Sequence, residues 1–290
     1  MTAPTTTTKT TTMTTKAMAC HVRAPEPRAR FTDLLAAEWI KLWSLRSTIW
    51  AFAATLLVVL FVSLSTTYGD YLSYPTDAAD RQEYFRLYGA VGDSFPRGSA
   101  TFMVFGAGAI GAITMLGECT TGMIRTTFMA VPARRSVMAA KVGVVAATTT
   151  VLGLLAVGIS YGAVQWILSG RGVAAGLDHP GVPRMLAASV VLAPVSALVG
   201  MGMGAILRHS AITIVTTITL LFVVPSLLDE QDHISASILH TMVLQSWQRL
   251  TFEPSGQTWP WTAAGAWTAL AGWALVATLL TVFASSRRDE

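Results

Sequence analysis

Long apolar blocks separated by short polar segments dominate this chain. Six blocks stand out, at 49–67, 99–117, 137–168, 186–207, 211–228 and 262–284. Each is long enough to cross the roughly 30 Å hydrocarbon core of a bilayer as a helix. Pro225 interrupts the fifth block, but neighbouring helices can accommodate a proline within a span. The pattern predicts an all-α integral membrane protein with six transmembrane helices.

Composition agrees with a membrane location. Of the 290 residues, 52% are hydrophobic and 12% are charged, against roughly 25% charged in an average soluble domain. The net charge of +4 comes from scattered basic residues rather than from a basic patch with interleaved aromatics, so no nucleic-acid partner is indicated. The two cysteines, Cys20 and Cys119, lie far apart and do not indicate a disulfide framework.

The charges also predict an orientation. Residues 1–30 are rich in threonine and have no apolar periodicity, which is typical of a disordered tail. If this tail and the C-terminus are both cytoplasmic, 14 of the 20 Lys and Arg residues face the cytoplasm and 10 of the 16 acids face outward. The positive-inside rule favours this orientation. We therefore expect a cytoplasmic 1–30 tail followed by a six-span membrane domain at 31–290.

Two glycine motifs resemble cofactor sites only superficially. "GAGAIG" at 106–111 has the spacing of a dinucleotide-binding loop, but it lies inside an apolar block, and Val131 stands about where the ribose-binding acid belongs. We interpret it, together with "GMGMG" at 200–204, as close helix packing. None of the four lysines follows a glycine, so no phosphate-binding loop is present. We predict no cofactor and no metal on this chain.

Two further patterns have hydrolytic or metal-binding alternatives. "GISYG" at 158–162 matches a hydrolase nucleophile elbow, but that elbow needs a strand-to-helix turn. An intramembrane hydrolase using Ser160 therefore stays an alternative only. The acidic run Asp229, Glu230, Asp232 and His233 is better explained as charge that complements the start of a following helix.

The predicted spans lack the groups that drive secondary transport. No Asp or Glu lies clearly inside a block, and Lys141, near the inner end of the third, can extend to the interface. A secondary transporter is thus an alternative, and so is a non-transporting membrane scaffold. The polar residues available for a substrate path within the spans are Tyr161, Gln165, Thr213, Thr216 and Thr217.

An amphipathic segment at 31–47 precedes the first block. Its apolar residues fall on one helical stripe, which consists of Phe31, Leu34, Leu35, Trp39, Leu42 and Leu45. Glu38, Lys41 and Arg46 make full insertion costly, so an interfacial helix is predicted. Glu38 and Lys41 are three residues apart and can form an ion pair.

A second segment, at 118–136, follows the second block on the cytoplasmic side. Gly122 and Pro132 bracket a short stretch that carries Met123, Ile124 and Phe128 as apolar contacts and Arg125 as a cation. This combination of apolar side chains and fixed charge predicts a loop that docks into a groove on a partner.

"EWIKL" and "ECTTGMIRTTFMAVPARRSVMAAK" in these two segments resemble the permease subunits of ABC-2 type transporters, of actinobacterial type. Cys119 departs from the family pattern, which has an aromatic residue there. The resemblance assigns the elbow helix to Glu38, Trp39, Lys41 and Leu42. It assigns coupling to the ATPase to Glu118, Thr121, Gly122, Met123, Ile124, Arg125 and Phe128.

The resemblance implies a subunit rather than an enzyme. It implies an exporter in the bacterial cytoplasmic membrane, moving an apolar or amphipathic substrate. The expected partners are a second permease copy or paralogue, the lipid bilayer, and two ABC ATPase subunits that hold ATP and Mg. It also implies an outer re-entrant segment at 229–261. Substrate identity, homodimer or heterodimer assembly, and the identity of the ATPase stay open.

Overall fold

The computed structural model describes residues 30–74, 78–85, 89–121, 127, 133–228, 232–252, 259 and 261–287. Across these ranges the regular structure is helical and contains no strand. Six helical stretches are long and apolar enough to cross a bilayer, namely Arg46–Ser73, Ala90–Glu118, Arg134–Ser169, Val182–Leu207, Ser210–Leu227 and Ala263–Ala284. The prediction of an all-α protein is confirmed for these ranges, and the six long apolar helices correspond to the six predicted spans. Residues 1–29 of the predicted tail lie outside the described residues.

The helices are numbered here in chain order. The first five are α1 (Phe31–Ser44), α2 (Arg46–Ser73), α3 (Ala79–Tyr84), α4 (Ala90–Ser94) and α5 (Arg97–Thr121). They are followed by α6 (Arg134–Ser169), α7 (Val182–Leu207) and α8 (Ser210–Ile218), and by a π-helical turn at Thr219–Val223. The last four are α9 (Val224–Leu227), α10 (His233–Thr241), α11 (Val243–Thr251) and α12 (Ala263–Arg287).

The segment predicted as an interfacial helix is helical, but over Phe31–Ser44 rather than 31–47. It begins where the Asp33 carboxylate accepts a hydrogen bond of 3.0 Å from the backbone N–H of Arg30, one half of a capping box. It ends at Ser44 because Leu45 adopts an extended conformation. Arg46 then starts the first span. The break at Leu45 separates α1 from the first membrane helix.

The spans extend further than the apolar blocks. The first span, α2, continues to Ser73. The second span begins at Ala90 and consists of α4 and α5, which are separated by a break at Phe95 and Pro96. Asp70 and Asp93 therefore lie within these helical stretches, but outside the apolar blocks, none of which contains an Asp or Glu. The helices continue past the apolar residues into polar turns.

The fourth span, α7, lies at the centre of the bundle and packs against α5, α6, α11 and α12. Small residues at the contact between α5 and α7 permit this close packing. A side chain at Gly111 would overlap the carbonyl group of Ala197, and one at Gly200 would overlap the carbonyl group of Gly108. The backbones of α5 and α7 thus approach too closely for any larger residue at these positions. Both glycine motifs serve helix packing, as predicted.

Two short helices, α10 and α11, lie between the fifth and sixth spans. They are separated by a break at Met242, which is extended. Trp247 of α11 is fully buried and its Nε1 donates a hydrogen bond of 2.9 Å to Ser189 Oγ of α7. Arg184 Nε of α7 donates to the Leu250 carbonyl at 2.9 Å. These bonds attach α11 to the central span; residues 229–231, 253–258 and 260 of the predicted re-entrant segment lie outside the described residues.

Candidate functional site

One face of α1 packs against the bundle, and a charged residue, Glu38, lies at the centre of that face. Leu34, Glu38 and Leu42, four residues apart, are all buried. The predicted apolar stripe is only partly this face, because Phe31 and Trp39 are each 50% exposed. An exposed aromatic face beside a buried acidic one places α1 along the bundle with tryptophans outward, where they suit a membrane interface.

Glu38 belongs to a cluster of four charged side chains from three helices, called here the ion-pair cluster. It consists of Glu38 and Lys41 on α1, Glu118 near the end of α5 and Lys141 in α6. Lys141 Nζ lies 2.6 Å from Glu38 Oε2 and 2.8 Å from Glu118 Oε1. Lys41 Nζ lies 2.7 Å from Glu38 Oε1 and 3.3 Å from Glu118 Oε1. Each lysine contacts both carboxylates.

Three of the four members of the cluster are removed from water. Glu38, Glu118 and Lys141 are 4%, 6% and 5% exposed. Removing such charges from water costs several kcal/mol per ion, roughly, so the arrangement persists only because the charges balance and the hydrogen bonds are short. The predicted pair between Glu38 and Lys41 is confirmed. The prediction that Lys141 extends to the interface is wrong, because two buried carboxylates hold it inside.

Two members of the cluster, Glu38 and Lys41, lie on α1, outside the spans. Their neighbours in the cluster shift the pKa of each. Burial favours the neutral form of Glu38, but the charges of Lys141 and Lys41 and their hydrogen bonds outweigh it, so the pKa of Glu38 is lowered. Burial likewise opposes the charge on Lys41, but hydrogen bonds and charge from Glu38 and Glu118 keep the pKa of Lys41 above its ordinary value. Both groups are therefore ionised at neutral pH.

The predicted coupling segment at 118–136 is described only at its two ends and at residue 127. Glu118 is in the cluster, Thr121 is the last residue of α5, and Arg134 begins α6. The remaining coupling residues, Gly122, Met123, Ile124, Arg125 and Phe128, lie outside the described residues. Both helices that flank the segment contribute one residue to the ion-pair cluster.

The predicted substrate-path residues do not form one group. Tyr161 donates a hydrogen bond of 2.8 Å to the Ala175 carbonyl. The amide nitrogen of Gln165 donates to Ser94 Oγ at 2.7 Å, while its oxygen accepts from the Ala175 N–H at 2.6 Å. These two residues therefore bind α6 to α4 and to the loop after α6. Their polar atoms therefore serve structure in this conformation.

The threonines of α8 are in a different place. Thr213 and Thr217 are buried against the bundle, with Thr217 Cγ2 beside Gly108 of α5, whereas Thr216 is partly exposed. The hydroxyls of Thr213 and Thr217 are buried without a hydrogen-bond partner in the described part of the chain. The hydroxyls of Thr148 and Thr149 in α6, by contrast, donate to carbonyls of their own helix.

Sequence reasoning missed two groups. Lys141 was not predicted as a site residue, although a lone lysine near a span is a signal, since such a charge needs a partner. The second group is Asp70 of α2 and Asp93 of α4, whose carboxyl groups lie close to each other. Asp93 Oδ2 is buried and has no hydrogen-bond partner among the described residues.

The structure gives little support to the two alternative sites, the hydrolase that uses Ser160 and the metal site. Ser160 is fully buried in the middle of α6, and its hydroxyl has no hydrogen-bond partner among the residues described. "GISYG" is helical, not a strand-to-helix turn. Over the described ranges no group of three His, Cys, Asp or Glu side chains is suited to a metal; Asp229 and Glu230 lie outside them.

Comparison of the sequence with protein-family models and with curated proteins gives no match. Membership of the ABC-2 family is therefore a proposal that rests on the two segments and the order of the spans.

Proposed function

We propose that this chain is the membrane-spanning permease subunit of an ATP-binding-cassette exporter of the ABC-2 type. It works in the cytoplasmic membrane of a bacterium with both termini inside, paired with a second copy or a paralogue. Two separate ATPase subunits bind ATP and Mg and supply the energy. The chain itself catalyses no reaction.

The observation that carries this proposal is the position of the ion-pair cluster. It joins α1 to α5 and α6 at both ends of the segment 122–133. A partner that pushes on this segment therefore acts on three helices that are held together by buried charges. Under this proposal, α1 is the elbow helix and the segment 122–133 is the contact with the ATPase.

The mechanism follows from that connection. ATP binding closes the two ATPases and displaces the coupling segment, with Arg125 meeting a carboxylate on the ATPase. Because buried ion pairs break at high cost, Glu118 and Lys141 carry the displacement to α1 as a unit. The first three spans then move against the others, and the permease pair switches between inward and outward access.

The cargo is apolar or amphipathic. The bundle core is built from apolar residues and small residues, and the charged pairs lie near the ends of the spans. The spans α2, α8–α9 and α12 leave apolar side chains such as Phe61, Val215 and Leu275 exposed. Lipid and a second permease copy suit these faces. Tyr161, Gln165 and Thr216 stay candidates for the path only in a conformation that frees them.

Co-purification with the ATPase tests this proposal. The tagged chain is expressed with an ATPase encoded beside it, and the complex is isolated in detergent. Wild-type chain retains the ATPase, and Arg125→Glu loses it while inserting normally. Arg171→Glu is the matched control, since it reverses one charge in the exposed loop after α6, at the predicted opposite face. Equal retention by all three chains contradicts the coupling assignment.

One observation favours a second candidate, a proton-coupled secondary transporter. Asp70 and Asp93 lie close to each other within two candidate spans, and ionisable groups inside spans are typical of such transporters. In this reading the chain needs no ATPase. An imposed pH gradient across liposomes that contain the chain alone then drives uptake, and Asp93→Asn abolishes it. Absence of such uptake removes this candidate.

A further inference from the structure

A cavity of about 180 Å³ lies beside the ion-pair cluster. One wall is charged, from Lys41, Glu118 and their partners, and the other is apolar, from Leu42 and Val145. The space is large enough for several waters or for a small polar head group. Ligand pockets for whole drug-like molecules are larger, about 300–1,000 Å³.

The charged wall has unused hydrogen-bonding capacity. Glu118 Oε1 accepts from both lysines, but Glu118 Oε2 is buried and has no hydrogen-bond partner within the described chain. A buried carboxylate oxygen without a partner costs about 1–3 kcal/mol or more. Lys41 uses two of its three N–H donors, on Glu38 and Glu118, and is 30% exposed. The wall therefore offers one free anionic acceptor and one free cationic donor.

The position of the cavity favours a membrane lipid as the molecule whose head group binds this free acceptor and this free donor. The cavity is lined at its edge by Ser44 and Leu45, both exposed, where α1 meets the first span. The neighbouring face of α1 exposes Trp39 and Trp43, and tryptophans prefer the head-group level of a bilayer. A molecule that occupies this space has its polar end in the cavity and room for acyl chains along the apolar rim.

We propose that this cavity binds the phosphoethanolamine head group of a membrane lipid, with its ammonium on Glu118 Oε2 and its phosphate on Lys41 Nζ. The zwitterion leaves the neutral cluster neutral, whereas a simple cation or anion adds net charge to a buried site. Choline lacks the N–H donor that Glu118 needs. The site involves this chain alone, without an ATPase, so it stands or falls separately from the transport function.

Gly117 allows a test that leaves every charged residue in place. It lines the cavity, and a side chain there meets no atom within 4 Å. Gly117→Leu therefore fills the space. Gly158→Leu is the matched control, because Gly158 is also helical, also has nothing within 4 Å of an added side chain, and faces away from the protein in the middle of α6.

The full-length chain is purified in detergent and titrated with phosphatidylethanolamine, phosphatidylcholine and phosphatidylglycerol of identical acyl chains, and bound lipid is counted by native mass spectrometry. Wild type and Gly158→Leu bind the ethanolamine lipid about tenfold more tightly than the choline lipid, the lower range for one charge-assisted hydrogen bond. Gly117→Leu loses this preference. Glu118→Gln, which replaces an acceptor by a donor, loses it as well.

Two results overturn the proposal. One is equal binding of the ethanolamine lipid and either other lipid by the wild type. The other is an unchanged preference in a Gly117→Leu chain that elutes and melts like the wild type. If Glu118→Gln does not fold, the comparison between the two glycine variants still decides the question.

Discussion

Lys141 Nζ lies 2.6 Å from Glu38 Oε2, so a residue in the third span is bonded to the helix that precedes the first span. Lys141 is 5% exposed and Glu38 is 4% exposed. Both charges are thus largely shielded from water, and each is compensated by the other and by the remaining two members of the ion-pair cluster. The position of α1 against the bundle therefore depends on a few buried charges as well as on Leu34 and Leu42.

Replacing the buried lysine should strongly destabilise the fold. Lys141→Met keeps the length of the side chain but leaves two buried carboxylates with Lys41 alone. Removal of one partner from a buried pair costs about 3–5 kcal/mol. The free energy of unfolding in mixed micelles measures this. Adding Glu38→Gln to the same chain should recover part of the loss, and a single variant within about 1 kcal/mol of wild type contradicts the assignment.

Stability should depend on pH through Glu38 at the acid end. Its pKa is lowered in the folded chain, despite burial, by Lys141 and Lys41. The stabilisation is thus fully present above the unfolded-state pKa, about 4.3, and is lost as the pH falls through the lower folded-state pKa. The Tm gap between wild type and Glu38→Gln should stay constant from about pH 5 to 8 and shrink below about pH 4. A gap that is equal at both ends of this range contradicts the prediction.

Stability should depend on pH through Lys41 at the alkaline end. Its pKa is raised, despite burial, by hydrogen bonds and charge from Glu38 and Glu118. The stabilisation from its charge is fully present below the unfolded-state pKa, about 10.4, and is lost as the pH rises through the higher folded-state pKa. Lys41→Gln should therefore melt below wild type at neutral pH, with the difference shrinking only above about pH 10.5. A difference that shrinks between pH 7 and 9 is inconsistent with this pairing.

The spans were predictable from sequence, and their charged contacts were not. Hydropathy identifies six helices because the bilayer thickness fixes a length that apolar blocks must meet. The pairing of Glu38 with Lys41 was also predictable, since both lie on one helix. Glu38 and Lys141 are about a hundred positions apart, and no local pattern says which helices pack together. Asp70 and Asp93 were missed because a helix can continue past its apolar residues.

Close packing of α5 on α7 predicts a sharp difference between two glycines. Gly111→Ala overlaps the Ala197 carbonyl group and should destabilise by about 1–3 kcal/mol, the usual cost of overpacking. Gly158→Ala meets no atom within 4 Å and should be neutral or stabilising by up to about 1 kcal/mol, from helix propensity. Unfolding in mixed micelles measures both. Equal effects contradict the packing of these helices.

The charge distribution predicts which loops face the cytoplasm. Ser73 ends α2 on the predicted outer side, and Cys119 lies in the last turn of α5 on the predicted inner side. A membrane-impermeant thiol reagent on intact cells should label Ser73→Cys and spare Cys119. Permeabilised cells provide the control. Strong labelling of Cys119 in intact cells reverses the orientation.

The most direct test of an ATP-powered permease is the rate of ATP hydrolysis in liposomes that contain the partner ATPase with and without this chain. The chain alone should hydrolyse no ATP, and the ATPase should turn over faster with the wild-type chain than without it. Arg125→Glu should abolish that stimulation, and Arg171→Glu should preserve it. An ATPase rate that is independent of the chain, together with uptake driven by a proton gradient through the chain alone, contradicts the account.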